Sequence, residues 1–331
     1  MGGVLCALTR WAAATLILST VAWPQTVFHG AARLVTVPAV VKDPAGRFVR
    51  DLRGQDFRIF DNGRPQRFEF DYVDEPIAAA VVAQTTNSVR AWLPHVRRVA
   101  SAVETLVVGA NGKASVIRFG ADVKVVGDWT NRASSIDFAF ASLGPGVDDK
   151  RRCFDALLLA ANSLAALPAP FRRVILLFSQ PGDSGSTASL GDVLEAVERN
   201  NIVVYSLEMP RFGKDVAGKT IRIGSTKGVV AGNDTGIMGS VDLGKLVTEV
   251  RRGSKIADAP DLLSAETGGS RSSFRRLRDL EAAISSIAEE LHTEYLLTYA
   301  PDAAEPGYHQ IRVEISRAGV VTRWRPGYYV Q

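Results

Sequence analysis

An uninterrupted apolar run at residues 77–83, IAAAVVA, constrains the fold of this chain more than any other stretch. A strand of this kind is buried on both faces, which requires a sheet with helices packed on either side. A polar cluster, QTTNS at residues 84–88, follows directly, and a helical pattern begins after it. Because α/β sheets bind ligands at the carboxyl ends of their strands, this cluster is a candidate binding site.

The middle of the chain alternates strand and helix patterns, which indicates right-handed crossovers and a mainly parallel, doubly wound sheet covered on both faces. Further strands are predicted at residues 114–119, 123–129, 174–178 and 202–207, the first two as a hairpin. Helices are predicted at residues 88–108, 131–143, 154–167, 190–200 and 277–292. We expect Pro94 to interrupt the first of these helices.

Both ends of the chain are rich in β-forming residues. The sequence DNGR at residues 61–64 predicts a tight hairpin between strands at residues 57–60 and 67–72, because Asn-Gly tolerates positive φ angles. The β segments at residues 33–74 and 294–331 are each too small to bury a core alone. We therefore predict that they form one β-sandwich, into which an α/β domain at residues 75–293 is inserted.

Residues 211–258 interrupt the strand and helix alternation with a stretch rich in glycine and charge. A connection of this length is usually functional or disordered. We predict a long mobile loop over residues 211–239 and a helix over residues 241–251.

The amino-terminal 25 residues have the pattern of an export signal. Arg10 precedes an apolar run at residues 11–23, which is short for a membrane span and typical of a signal peptide. Residues 1–25 are therefore expected to be a signal peptide, with an uncleaved anchor as the alternative. Export predicts a periplasmic or extracellular protein, and contact with a membrane only if this segment is retained.

The cluster at residues 84–88 resembles the metal-binding loop of von Willebrand factor A-type domains, which reads Asp-x-Ser-x-Ser and holds a divalent cation. The chain is also similar to a bacterial secreted family that carries such a domain between short β regions. The matching segments occur in the same order, at residues 55–57, 61–63, 266–269, 287–291, 295–297 and 327–329. The resemblance implies an A-type α/β domain inserted into a small β-sandwich.

The metal-ligand positions depart from the family pattern. Gln84, Thr86 and Ser88 stand where the family has Asp, Ser and Ser. The family's threonine corresponds to Arg151, and the aspartate after the fourth strand corresponds to Gln180. Both carboxylates are thus amides, and a guanidinium would repel a divalent ion. The resemblance therefore implies a degenerate metal site, and we expect no Mg²⁺ or other cofactor.

Two carboxylates remain near the degenerate site, on Asp155 and Asp183. They are interpreted either as ligands of a weak metal site or as an ordinary helix residue and a solvated loop residue. Both interpretations are consistent with the sequence.

The resemblance implies that the partner is another protein, since an acidic side chain of the partner completes the coordination of the metal ion in that family. The candidate protein-binding residues are Thr86, Ser88, Arg151 and Asp183. We hypothesise that Arg151 replaces the metal ion and pairs with the incoming carboxylate. The other interpretation is that Arg151 points into water.

These observations predict an exported, non-enzymatic protein-protein interaction or adhesion module that does not need a metal ion. The alternative is a structural or scaffold module that binds through its β-sandwich or through residues 211–258. Thirty-nine Lys and Arg against 35 Asp and Glu leave a net charge of +4 with scattered basic residues, which argues against nucleic-acid binding.

A hydrolase is the third possibility, because GDSG at residues 182–185 spells the loop around the nucleophile of trypsin-like proteases. Here the four residues follow a predicted parallel strand, whereas that family needs a β-barrel fold and a histidine in its own motif. The four histidines match no such motif and are expected at the surface; they are His29, His95, His292 and His309. The chain is therefore not expected to be an enzyme.

Overall fold

The structure, a computed structural model, describes residues 34–72, 75–168, 170–211, 229–230, 243–253, 258–301 and 305–330. The predicted signal segment and most of the predicted loop at residues 211–239 lie outside the described residues, so both stay predictions. Within the described ranges, none of the helices combines the length and the apolar character that crossing a membrane requires.

The described chain contains strands and helices in the following order. The strands are β1 (Val35–Lys42), β2 (Phe57–Asp61), β3 (Arg64–Gln66), β4 (Glu69–Tyr72), β5 (Ile77–Gln84), β6 (Lys113–Phe119), β7 (Val123–Thr130), β8 (Arg172–Ser179), β9 (Val203–Glu208), β10 (Val229–Val230), β11 (Arg271–Ser273), β12 (Tyr295–Tyr299), β13 (Gly307–Ile315), β14 (Val321–Trp324) and β15 (Gly327–Val330). The helices are α1 (Leu93–Arg98), α2 (Ala100–Ala102), α3 (Ala133–Ala141), α4 (Cys153–Ala165), α5 (Leu190–Arg199), α6 (Leu243–Arg251), α7 (Ala259–Thr267) and α8 (Leu277–Leu291).

A six-stranded sheet with the order β11-β9-β8-β5-β6-β7 forms the centre of the α/β part. All neighbouring strands are parallel except β6 and β7, which form the predicted hairpin. Successive residues of β5 point to opposite faces: Ala79 and Val81 pack with α1, α3 and α8, whereas Ala80 and Val82 pack with α4 to α7. The predicted doubly wound, mainly parallel sheet is confirmed.

The β segments from both ends of the chain form two further sheets around one apolar core. Strand β1 lies between β12 and β14 in a sheet with the order β10-β14-β1-β12-β4, and β2 pairs with β13 in a sheet with the order β15-β13-β2-β3. Val37 of β1, Ile59 of β2 and Leu297 of β12 meet in the shared core. The predicted β-sandwich with an inserted α/β part is therefore confirmed.

The hairpin at residues 61–64 has the predicted turn but not the predicted second strand. Asn62 and Gly63 have φ angles of 47° and 79°, which fit a two-residue tight turn. The strand that returns along β2 is β3, and the chain then crosses to the other sheet, where β4 pairs with β12. Aromatic packing accompanies this crossing, because the Phe70 ring lies 5.7 Å from those of Phe57 and Tyr295.

The prediction that Pro94 interrupts a helix over residues 88–108 is wrong. Helix α1 begins at Leu93, so Pro94 lies in its first turn, where the missing N–H has no intrahelical role. The break comes instead at Val99, with φ −90° and ψ 5°, and a π-helical stretch, Val103–Val108, follows α2.

A buried charged cluster joins the two chain ends inside the sandwich. Asp61, only 5% exposed, accepts hydrogen bonds from the hydroxyls of Tyr299 and Tyr328 at 3.0 and 2.7 Å. His309 Nδ1 lies 2.8 Å from Asp61 Oδ1, and its Nε2 lies 2.7 Å from the carbonyl oxygen of Glu305. Both ring nitrogens thus contact oxygen atoms, one of Asp61 and one of the backbone, and these contacts hold the ring in the interior of the sandwich. The prediction of a surface histidine is wrong for His309.

We predict that Tyr328→Phe lowers the free energy of unfolding by about 1–3 kcal/mol, because it leaves the buried Asp61 carboxylate short of one donor. Urea unfolding checks this. Asp51→Asn at an exposed position is the control and is expected to change stability by less than about 0.5 kcal/mol. Equal stability of Tyr328→Phe and the control would contradict the role given to this cluster.

Candidate functional site

The candidate site lies at the carboxyl ends of β5, β8 and β9, which are neighbours in the central sheet. Residues 84–88 end β5 and lead out of it, residues 180–186 follow β8, and residues 209–211 follow β9. The loop before α4 lies at the same edge of the sheet, because the Arg152 N–H donates to the carbonyl of Gly120 at 3.1 Å and Gly120 directly follows β6. Four loops thus meet at one edge of the sheet.

The side-chain amide of Gln84, at the end of β5, connects these loops through hydrogen bonds. The side chain is fully buried; its Oε1 accepts from Gln180 N–H at 2.7 Å, and its Nε2 donates to Thr86 Oγ1 at 2.6 Å. The hydroxyls of Thr86 and Ser88 share a further hydrogen bond of 2.9 Å. Gln180 Nε2 in turn donates to the carbonyl of Pro210 at 3.1 Å, which ties in the loop after β9.

Thr86 and Ser88 are brought together but differ in accessibility. Thr86 is 1% exposed, so in this structure it offers no surface to a partner and acts as support for the loop. Ser88 is partly exposed, and its N–H donates to Asp149 Oδ1 at 2.7 Å. Of the two hydroxyl residues predicted to bind a partner, Ser88 has access to solvent.

The two nearby carboxylates hold loops and helix ends. Asp183 Oδ1 accepts from the first two N–H groups of α4 at 2.8 and 3.2 Å and from Ser186 Oγ at 2.6 Å. Asp155 accepts from backbone N–H groups of residues 187–188 at 3.0 and 2.9 Å and from Arg152 Nε at 2.8 Å. Asp183 therefore caps α4 in trans, and it fixes the segment that carries Arg151.

The residues at this edge do not fit the divalent cation that the resembled family holds at the corresponding position. The Gln84 amide presents a donor to Thr86, where a metal ion would need that hydroxyl oxygen as a ligand. Asp155 and Asp183 are occupied by N–H and O–H donors. Across the described residues, no group of three His, Cys, Asp or Glu side chains is placed to hold a metal ion.

Two guanidinium groups converge at the top of this edge. Arg151 Nη1 donates to the carbonyl of Pro181 at 3.0 Å, and Arg211 Nη2 donates to the same oxygen at 2.6 Å. Gly182, with φ +96°, leaves the adjacent space open: a Cβ there would lie 3.9 Å from Arg151 Nη2 and 4.0 Å from Arg211 Nη2. We call this space, flanked by Arg151, Arg211 and Gly182, the cationic hollow.

The charge of the cationic hollow is poorly compensated. Burial lowers the pKa of Arg151, and the charge of Arg211 lowers it further, although Asp149 and Asp183 act in the opposite direction. A guanidinium still keeps its proton at physiological pH. Neither Arg151 nor Arg211 takes part in an ion pair within the described part of the chain, and the buried Arg151 Nε has no hydrogen-bond partner there.

Ser184, the serine of the GDSG sequence, is hydrogen-bonded to the backbone of Arg151. Ser184 Oγ accepts the Arg151 backbone N–H at 3.1 Å, and Ser184 N–H donates back to the Arg151 carbonyl at 2.9 Å. None of the hydrogen bonds between described residues joins Ser184 to a histidine. The pair of contacts fixes the backbone of Arg151 against the loop after β8.

Sequence reasoning did not identify Arg211 as a site residue. The prediction assigned it to the start of a mobile loop, whereas the structure places it beside Arg151. The sequence did contain an indication of this position. Arg211 follows the end of β9 by three residues, and the carboxyl ends of parallel strands meet at one edge of a sheet.

Comparison with solved structures finds similarity to a von Willebrand factor type A protein and to two proteins from Bacteroides species. An aerotolerance-related membrane protein from Bacteroides fragilis shares 16% identity, with a TM-score of 0.42 over 65% of this chain and 99% of that one. The protein BatB from Bacteroides thetaiotaomicron shares 15%, with a TM-score of 0.40 over 64% and 99%. A von Willebrand factor type A protein from Catenulispora acidiphila shares 9%, with a TM-score of 0.42 over 92% and 74%.

No protein-family model matches this chain, and no curated protein matches it. At these identities and TM-scores, the similar structures transfer no function to it.

We predict that Mg²⁺, Mn²⁺ and Ca²⁺ at about millimolar concentration show no saturable binding to the protein, because the Gln84 amide and the Arg151 guanidinium replace carboxylate and threonine oxygens. Titration calorimetry measures this directly. Ser88→Ala serves as the comparison variant, since it removes a hydroxyl with access to solvent. Saturable binding by the native protein that Ser88→Ala abolishes would show that the site is a metal site.

Proposed function

We propose that this chain is an exported, non-enzymatic protein-interaction module that binds an acidic side chain of its partner in the cationic hollow, without a metal ion. The observation that carries the proposal is the convergence of Arg151 and Arg211 beside Gly182 with no carboxylate paired to either in the described residues. The exported character rests on the signal pattern at residues 1–25.

A carboxylate that enters the hollow over Gly182 meets an Nη2 group from each arginine. Charge-assisted hydrogen bonds of this kind are about twice as strong as neutral ones, and the partly buried position of Arg151 limits screening by water. Gln84 and Gln180 below are neutral, so they do not repel the incoming acid as aspartates would. The structure thus supports recognition of an acid by fixed cations.

The surroundings of the hollow support a protein as the partner. Val147 is fully exposed on the loop before α4, and the neighbouring Gly146 N–H is hydrogen-bonded to the carbonyl of Thr85. An apolar side chain is therefore presented on a fixed loop at the same edge of the sheet. Protein interfaces combine apolar contacts with a few charged pairs in this way.

The alternative is a scaffold that binds through the β-sandwich or through residues 211–258. One observation favours it: β10, which lies within residues 211–258, pairs antiparallel with β14 at the edge of a sandwich sheet. That part of the chain therefore reaches the sandwich and extends its surface.

We predict that Arg151→Ala weakens partner binding by about 2–5 kcal/mol, because it removes one member of a desolvated charge pair. Arg211→Ala is expected to weaken binding in the same direction. The measurement is quantitative capture of envelope proteins by the immobilised protein in metal-free buffer, followed by affinity measurement with the captured partner. Arg132→Ala, an exposed arginine on a different loop, is the control and is expected to bind like the native protein.

A captured partner that binds Arg151→Ala and Arg211→Ala as tightly as the native protein would contradict the cationic hollow as the site. If deletion of residues 229–230 then abolishes binding, the scaffold alternative is supported instead. Arg151→Lys separates charge from geometry, because a lysine keeps the charge and lacks the planar fork of donors.

A further inference from the structure

A polar pocket lies at the end of the central sheet opposite the cationic hollow. Its volume is about 170 Å³, and it opens where the amino-terminal ends of β8 and β9 meet β1 and β12 of the sandwich. Arg173 and Asn201 line it from the α/β part, and Thr36, Leu296 and Arg325 line it from the sandwich. We call this space the junction pocket.

Two arginines of the junction pocket have donors without partners. Arg325 is 3% exposed; its Nε donates to the carbonyl of Gly327 at 2.9 Å and its Nη1 to Asn201 Oδ1 at 3.3 Å. Arg173 donates through Nη1 and Nη2 to the carbonyls of Asn200 and Leu167, both at 3.3 Å. Arg325 Nη2 and Arg173 Nε are buried and have no hydrogen-bond partner among the described residues.

The third arginine of the junction pocket is already compensated. Arg172 forms a buried ion pair with Glu294, and its Nη1 donates to the carbonyl of Leu291 at 2.7 Å. Within the described chain, by contrast, neither Arg173 nor Arg325 belongs to an ion pair. Their positive charges are the ones left to be balanced.

The acidic groups around the pocket balance these charges only in part. Among the described residues that line the pocket, Glu75 is acidic, and its side chain is exposed to water. Glu266 interacts electrostatically with Arg325, but burial and the charge of Glu198 raise the pKa of its carboxyl group to about 8, so it gives up its proton less readily than an ordinary glutamate and compensates Arg325 less well.

We propose that the junction pocket binds a small tetrahedral oxyanion of the phosphate or sulfate class, held by Arg173, Arg325 and the side-chain amide of Asn201. An oxyanion in the pocket would place a negative charge beside the guanidinium groups of Arg173 and Arg325, and charge-assisted hydrogen bonds from such groups to an oxyanion are strong. A volume of about 170 Å³ is large enough for a single oxyanion together with water.

Because the pocket lies between the sandwich and the α/β part, a bound anion would affect how the two parts are held together. Arg325 and Thr36 belong to the sandwich, whereas Arg173 and Asn201 belong to the α/β part. An anion bridging these groups would link the two parts by charge. Because it binds the folded state only, it would also raise the melting temperature in proportion to the logarithm of its concentration above Kd.

The test uses the whole protein with inorganic phosphate and sulfate as probes, in titration calorimetry and thermal unfolding at constant ionic strength with chloride as the reference anion. The expected result is saturable 1:1 binding and a matching rise in Tm. Arg173→Gln and Arg325→Gln are expected to weaken binding at least about tenfold. Arg199→Gln, an exposed arginine outside the pocket, is the matched control and should bind like the native protein.

Two results would overturn the proposal. One is the absence of saturable binding of both anions by a folded native protein. The other is a rise in Tm that is equal in Arg173→Gln and in the native protein, since phosphate and sulfate stabilise proteins generally by exclusion from their surfaces. Arg173 is only half-buried, so Arg173→Gln decides the question if Arg325→Gln does not fold.

Discussion

The hydrogen bonds of one buried amide, that of Gln84, organise the edge of the sheet on which the proposed function depends. This amide accepts from the backbone after β8 and donates to the hydroxyl after β5, and Gln180 continues the connection to the loop after β9. A neutral side chain thus joins loops that a cation joins in the resembled family. No charge is buried at this position, so none has to be neutralised there, and the proposal of a metal-independent site rests on this neutral connection.

The cationic hollow follows from this arrangement. Asp183 caps α4 and Ser184 holds the Arg151 backbone, so the position of Arg151 is set by the same loops that Gln84 connects. Pro181 then orients Arg151 and Arg211 toward one space through a shared carbonyl oxygen. Such preorganisation reduces the entropy that binding would otherwise cost. The sandwich is held together in part by the hydrogen bonds of the buried Asp61. Where the sandwich meets the opposite end of the central sheet, Arg173 and Arg325 line the junction pocket.

Features with a local cause could be predicted from the sequence. The apolar run of β5 requires burial on both faces, and Asn62-Gly63 permits the turn that the structure shows. Features that depend on distant residues could not. The burial of His309 depends on Asp61, which lies 248 residues away, and the assignment of β4 to the opposite sheet accompanies the packing of Phe70 against Tyr295. The sequence predicted that the loops after β5 and β8 and the segment before α4 meet at the site, whereas the part played by the loop after β9 and by the Arg211 side chain required the structure.

The most direct test of a metal-independent cationic site is the affinity of the captured partner as a function of sodium chloride, from about 50 to 500 mM, with EDTA and separately with MgCl₂. The account predicts that affinity falls steadily as salt screens the arginine–carboxylate pairing and that neither EDTA nor MgCl₂ changes it. Binding that disappears in EDTA and returns with Mg²⁺ would contradict the account, because it would show that a cation, rather than Arg151 and Arg211, holds the partner.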